Sequence, residues 1–204
     1  MAQKITALFT DIGGVLLTNG WDRNARAEAV KQFQLDAAEL EDRHHLTFDT
    51  YEEGKLLLDE YLDRIVFYEP RSFSKETFKQ FMYDYSRPYD TMIQLLRKLK
   101  EKYNLKTVVV SNEGRELNQY RIETFQLNTF IDFFVSSSFV HFRKPDADIF
   151  KVALDMAQVP LDQILYIDDR PLFVQVAEGL GIKGIIHRNY EATKSELATY
   201  GLTL

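Results

Sequence analysis

A short uncharged run, Ile5-Thr-Ala-Leu-Phe9, closes on Thr10, a carboxylate, Asp11, and a glycine pair, Gly13-Gly14. A run of this length bounded by turn formers reads as a buried strand. The glycines let the backbone turn sharply and approach a ligand closely. In open parallel α/β sheets ligands bind beyond the carboxyl ends of the strands. The first strand therefore delivers Asp11 to the place where such folds do chemistry.

The rest of the chain alternates. After Val15-Leu-Leu17 and a Thr18-Asn-Gly20 loop, the texture from Trp21 to Tyr85 is helical. Trp21 to Phe33 forms a first helix. Asp36-Ala-Ala-Glu39 resembles a capping box opening a second, and Thr50-Tyr-Glu-Glu53 one opening a third. The third helix carries Leu56, Leu57, Tyr61 and Ile65 on its buried face. Ser74 caps a fourth, whose Phe78, Phe81, Met82 and Tyr85 read as core packing. Pro88 marks the return to the first module, with a helix from Asp90 to Tyr103. Strand candidates follow at Thr107-Val-Val-Val110, Phe133-Phe-Val135, Ile164-Leu-Tyr-Ile167 and Gly184-Ile-Ile-His187. The helices between and after them are Arg115 to Phe125, Ala147 to Ala157 behind Asp146, Leu172 to Leu180 closed by Gly181, and Thr193 to Tyr200. Strands alternating with helices predict an α/β fold with a doubly wound, mostly parallel, Rossmann-like sheet. The helical segment is too long for a crossover. Residues 1–17 and 88–204 are expected to form the α/β core, and residues 18–87 an inserted helical cap over the site.

Composition narrows the function. A formal charge of −6, with no Lys/Arg cluster to offset it, argues against a nucleic-acid partner. With no cysteine, disulfides, thiolate catalysis and zinc–thiolate sites are excluded. No apolar run approaches the roughly 18 residues of a membrane span, and Met1-Ala-Gln-Lys4 carries no secretory pattern, so a cytoplasmic location is the expectation. The oligomeric state is left open.

Four polar groups follow strands or strand exits: Asp11, Ser111-Asn112, Lys144 and Asp168-Asp169. Each has a plainer reading alone. An aspartate at a strand end is commonly a turn residue, Ser111-Asn112 suits a helix cap, and a lysine is usually solvated. Together they make chemical sense. Two carboxylates beside Asp11 are unfavourable without a cation, and hard oxygen donors suit Mg²⁺. Lys144 and the Ser111 hydroxyl would then grip an anionic group, which describes a phosphoryl site.

These pieces, in this order, resemble the haloacid dehalogenase-like hydrolases of the branch with a helical cap. The matching segments are Asp11-Ile-Gly-Gly-Val15, Val108-Val-Val-Ser111-Asn112, Arg143-Lys144-Pro145-Asp146 and Tyr166-Ile-Asp168-Asp169-Arg170. The resemblance implies that Asp11 attacks phosphorus and forms an aspartyl-phosphate. It implies Mg²⁺ held by Asp11, the Gly13 carbonyl and Asp168, with Asp169 close by. Ser111, Asn112, Lys144 and Gly14 would contact the phosphoryl group of a small phosphorylated metabolite.

Two positions depart from the family pattern. Most family phosphatases carry a second aspartate, the general acid and base, where this chain has Gly13. Such help is typically worth about 10² to 10⁴ in rate. A leaving group needing little protonation (an anomeric sugar phosphate such as an aldose 1-phosphate, or an acyl or aryl phosphate), a substitute acid such as Glu113, or slow turnover would each accommodate the loss. Phe173 stands where relatives often have a polar residue. Alternative readings are 2-haloacid dehalogenation by Asp11 and a non-catalytic, phosphometabolite-binding protein. In the helical segment, Glu52-Glu-Gly-Lys55 is a candidate to face the site, His44-His45 reads as a surface pair, and His141 as strand-exit packing.

Overall fold

Five short apolar segments become five parallel strands: β1 (Ala7–Thr10), β2 (Lys106–Ser111), β3 (Phe133–Ser136), β4 (Ile164–Asp168) and β5 (Lys183–Ile186). The structure, a computed structural model, describes residues 4–204; the expectations for Met1, Ala2 and Gln3 lie outside the described residues. The strand order is β3-β2-β1-β4-β5, so the chain reverses its winding direction on either side of β1. That reversal opens a crevice at the end of β1, where Asp11 lies. Every residue of β1 and β4 is buried, as expected for central strands covered on both faces.

The ten helices, in chain order among the described residues, are α1 (Arg23–Phe33), α2 (Ala37–Glu52), α3 (Leu58–Ile65), α4 (Lys75–Asp84), α5 (Asp90–Tyr103), α6 (Arg115–Thr124), α7 (Ser137–Val140), α8 (Asp148–Ala157), α9 (Pro171–Gly179) and α10 (Tyr190–Thr199). Side chains alternate across the strands and divide the core. Leu8, Val109, Leu165 and Ile185 pack with Leu95, Leu96 and Leu99 of α5 and Leu197 of α10. Phe9, Val108, Val110 and Tyr166 pack on the opposite face with Ile149, Phe150 and Ala153 of α8 and Val174 and Ala177 of α9.

Helices α1 to α4 have a third core of their own, including Leu40, Tyr51, Tyr61, Leu62, Ile65, Phe78 and Met82. The aromatic stripe of α4 is core packing, as expected: Phe78 is fully buried against Trp21, Phe33 and Phe73. The segments leading out and back run side by side. Thr18 N–H donates to Arg87 O at 2.9 Å, and Tyr89 N–H to Leu16 O at 2.8 Å. The helical layer leans on α6 and α7, which follow β2 and β3. Leu58 N–H donates to Glu116 Oε1 at 3.0 Å, and Tyr83 stacks on Tyr120 at 4.6 Å.

Several local expectations need correction. Thr50-Tyr-Glu-Glu53 opens no helix; α2 runs through it to Glu52. Gly54, at φ +70°, ends α2, and Glu60 accepts from Leu57 N–H at 2.8 Å to start α3. A capping signature is local, and the buried face of α2, ending on Tyr51, extends the helix past it. Leu57 is exposed, because α3 buries Leu58, Tyr61, Leu62 and Ile65 instead. Helix α10 starts at Tyr190 rather than Thr193, since Asn189 caps it through Ala192 N–H at 3.0 Å. Asp146 does not cap α8 from the first flanking position, yet it accepts from Asp148 N–H at 2.9 Å. The short α7 had no helical pattern to betray it. His141 is exposed at its end, at φ +62°, rather than packed.

Gly54 also lets the helical layer pack closely on α7. A Cβ there would overlap the Ser138 carbonyl, whereas nothing lies within 4 Å of one at Gly201, at φ +80°. Left-handed backbone alone costs an L-residue about 1–2 kcal/mol. Gly201→Ala should therefore lose about 1–2 kcal/mol in urea denaturation, and Gly54→Ala about 3 kcal/mol or more. Equal losses would show that the Ser138 contact is soft.

Candidate active site

Lys144 is the centre of the site. Its ammonium is buried, 2.7 Å from Asp168 Oδ2 and 3.2 Å from Asp11 Oδ2, and it donates to the Tyr166 hydroxyl at 3.1 Å. Tyr166 in turn donates to Asp168 Oδ2, and Arg170 N–H donates to Asp168 Oδ1 at 2.7 Å. The loop carrying Lys144 is held by Asn112. Its amide accepts from Lys144 N–H and donates to Lys144 O, both at 2.8 Å. Asn112 is thus a clamp on the lysine, with both ends of its side chain occupied.

Asp11 is fixed by the neighbouring strand β4 and by the residue after it. Its N–H donates to Ile167 O at 2.9 Å, and its Oδ1 accepts from Ile12 N–H at 2.7 Å. The Ser111 hydroxyl faces the same carboxylate and favours its charged form. Burial, with Asp168 and Asp169 nearby, pushes the Asp11 carboxyl up to about 6, although Lys144 and Ser111 pull against the shift. Burial opposes the Lys144 ammonium, but Asp11 and Asp168 outweigh it and hold the proton above the usual lysine range.

Oxygens of Asp11, Asp168 and Asp169 lie within 4.8 Å of one another. Three carboxylates face one ammonium, and Asp169 Oδ1 is buried with no hydrogen-bond partner. Burial and then Asp168 raise the Asp169 carboxyl above the ordinary range. An all-oxygen donor set with surplus negative charge and an orphaned buried oxygen fits a hard divalent cation.

Asp11, Gly13, Asn112 and Asp169 line one cleft of about 400 Å³, together with Trp21, His44, Tyr51, Glu52 and Tyr61 from the helical layer. Ser111, Lys144 and Asp168 form the buried layer beneath. Gly14 is the exception among the expected residues. Its N–H donates to Leu17 O at 2.8 Å, so that donor is already used. At φ +72°, its missing side chain makes room for the Asp169 carboxylate. Gly13 meets Asn19 in the same way, a Cβ there falling 2.9 Å from Asn19 Oδ1. Phe173 places its ring 4.8 Å from the Lys144 ammonium, a cation–π contact where a polar group was considered.

Other residues acquire partners that their types did not announce. Tyr166 was legible: it lies two residues before Asp168, on the same face of β4. Glu113 pairs with the buried Arg121 at 2.5 Å, and Arg121 also donates to Thr18 O. Burial, with Glu52 and Asp11, drives the Glu113 carboxyl up to about 7 against the pull of Arg121. Glu52 does face the site, paired to Arg143 at 2.7 Å. His44 is not the expected surface residue. It is half-buried, bonded through Nδ1 to Tyr61 at 2.6 Å and stacked on Phe48; His45 is exposed.

Burial and then the Arg26 guanidinium push the His44 imidazole down to about 4, with Glu41 opposing and His45 adding slightly. The folded ring therefore stays neutral where the unfolded one, titrating near 6.5, takes a proton. Stability is present above pH 6.5 and is lost as pH falls toward 4. Thermal unfolding of the wild type should thus drop more between pH 7 and 4 than that of His44→Gln. Parallel declines would contradict a buried neutral ring.

The model of the haloacid dehalogenase-like hydrolases matches residues 5–181. In sequence, the chain is 27% identical over 101 residues to a protein of Caldanaerobacter subterraneus subsp. tengcongensis named as a pyrophosphatase, PpaX. That match covers 50% of this chain and 46% of the relative, so it spans less than half the relative's length. In structure, the chain is similar to the HAD family enzyme bt-2542 of Bacteroides thetaiotaomicron, with a TM-score of 0.80 at 23% identity over 97% of this chain and 99% of that one. A structure of the same enzyme with magnesium and inorganic phosphate aligns with a TM-score of 0.75 at 24% identity, over 89% and 93% of the two chains. A HAD-like hydrolase of Porphyromonas gingivalis aligns at 0.74 and 20% identity, over 96% and 98%. With the family match covering most of the sequence and the carboxylates gathered as described, this chain belongs to the haloacid dehalogenase-like hydrolases.

Proposed function

We propose that this hydrolase is a Mg²⁺-dependent phosphatase of small phosphorylated metabolites, working through an aspartyl-phosphate on Asp11. The observation that carries the proposal is the gathering of Asp11, Asp168 and Asp169 within 4.8 Å around a single buried ammonium. The magnesium and phosphate bound by bt-2542, and the pyrophosphatase name of PpaX, support the same reading. Asp11, the Gly13 carbonyl, Asp168 and Asp169 are the groups that would hold the ion. When bound, it would offset the carboxylate charge and polarise the phosphoryl oxygens.

The chain's own residues account for the rest. Lys144 lies 3.2 Å from Asp11 and keeps its carboxylate from repelling an anionic substrate. An Asp11 carboxylate oxygen attacks phosphorus, the ester oxygen leaves with the electron pair, and water then hydrolyses the acyl phosphate. Ser111, beside Asp11, donates to the phosphoryl group. Residues 18–87 act as the cap, closing the cleft with Trp21, His44, Tyr51 and Tyr61. Gly13 has no proton to give, so the substrates favoured are those whose leaving group needs little help, such as aldose 1-phosphates or acyl and aryl phosphates. Dehalogenation by Asp11 has weaker support, because halide displacement has no use for the orphaned carboxylate of Asp169.

Nitrophenyl-phosphate hydrolysis should vanish in Asp11→Asn protein and in excess chelator, and should return with added Mg²⁺. Persistence in both would overturn the mechanism. Across a series of aryl phosphates, kcat/KM should climb steeply as the leaving phenol becomes more acidic. A flat series would mean that another residue supplies the proton lost at Gly13.

A further inference from the structure

The wall of the cleft opposite Asp11 carries a hydrogen-bond relay that ends on an unused donor. The Trp21 indole N–H can only donate, and it lies 2.8 Å from the Tyr61 hydroxyl, so the phenol oxygen accepts. The single phenol proton is then left for His44 Nδ1, 2.6 Å away. A protonated Nδ1 would have to donate into the second lone pair of the phenol oxygen and leave the phenol proton with no acceptor among the described residues, so Nδ1 is the bare nitrogen and the imidazole proton sits on Nε2. Nε2 has no bond among the described residues and is not among the buried polar atoms lacking a partner, so it opens onto the cleft that the ring lines. The ring has little freedom to turn. It stacks on Phe48 at 4.9 Å and meets Tyr61 edge-on at 6.2 Å, while Tyr61 is itself stacked on Tyr51 at 4.4 Å.

Most charges around this donor are paired within the protein, Asp22 being a lining carboxylate held by Ala25 N–H and not by an ion pair among the described residues. Arg26 pairs with Glu41 at 2.7 Å, Arg143 with Glu52 at 2.7 Å, and Arg121 with Glu113 at 2.5 Å. Tyr51 adds a buried hydroxyl with no partner. This wall offers dipoles rather than net charge, which suits an uncharged, oxygen-bearing group. Arg23, exposed and without an ion pair among the described residues, is the one cleft cation that would favour an anion instead.

We infer that His44 is a specificity-determining residue: its Nε2–H donates a hydrogen bond to an uncharged oxygen on the leaving group of the substrate, as a sugar hydroxyl provides, and Trp21 and Tyr61 are positioning residues that fix the ring in that tautomer. The inference rests on the phosphatase reading for its substrate, but its geometry can be tested separately.

Two measurements decide it. In nitrogen-15 spectra of the full-length protein at pH 7, with His44 assigned by comparison with His44→Gln, Nε2 should carry the proton and Nδ1 should be bare. Tyr61→Phe should shift that balance. A proton on Nδ1, or a charged ring, would overturn the inference. In kinetics, His44→Phe should lower kcat/KM for glucose 1-phosphate about five- to tenfold more than for phenyl phosphate, which has no oxygen beyond the ester group. The loss should be largely in KM. An equal loss on both substrates, or a preference for esters with an anionic leaving group, would overturn the donor role while leaving the phosphatase intact. A wild-type protein inert toward both esters would instead sink the phosphatase reading, and the nitrogen-15 spectra would still decide the donor.

Discussion

A lysine with no exposed side-chain surface holds this site together. Burying an ammonium is costly by several kcal/mol unless opposite charge and hydrogen bonds compensate. Lys144 obtains both, from Asp11, Asp168 and the Tyr166 hydroxyl. Those partners come from the ends of β1 and β4, and the lysine from the loop before α8. Asn112, just beyond β2, clamps that loop in place. One cation thus ties three strands and a loop together at the crevice where the winding of the sheet reverses. Removing it would leave carboxylates buried in mutual repulsion, so the fold and the chemistry depend on the same contact.

The surplus negative charge around Lys144 sets the character of the floor of the cleft, and the helical layer sets that of its roof. On the floor, an orphaned Asp169 oxygen beside two other carboxylates calls for a hard cation. On the roof, Arg26 pairs with Glu41 and Glu52 with Arg143, Arg23 alone keeps an unpaired positive charge among the described residues, and a phenol and an imidazole N–H are left over as neutral groups. This division is consistent with a reaction that handles a phosphoryl dianion on one side and a neutral leaving group on the other. Gly13 belongs to the same logic. A Cβ there would come within 2.9 Å of the Asn19 side-chain oxygen, so Asn19 leans on the place from which a proton donor would extend.

The sequence by itself determined the sheet, because each strand is a short uncharged or β-branched run and each helix carries its own apolar face. It also singled out the polar residues that the fold gathers, since Asp11, Ser111 and Asp168-Asp169 stand at strand ends and Lys144 on the loop before α8. What it misjudged was governed by contacts between distant segments. The Thr50–Glu53 signature was overridden by the buried face of α2, and Leu57 by the rotation of α3. His44 was read as a surface residue because its partner Tyr61, itself bonded to Trp21, is distant in sequence. Asn112 was read as a phosphate ligand, and its side chain also clamps the Lys144 backbone; the Gly14 N–H, read the same way, is bonded to Leu17 O. Periodicity and local signatures report which residues meet the core and where the chain can turn. Which hydrogen bonds are already satisfied, and which buried charges cancel, is a property of the assembled site, and only the tertiary structure decided it.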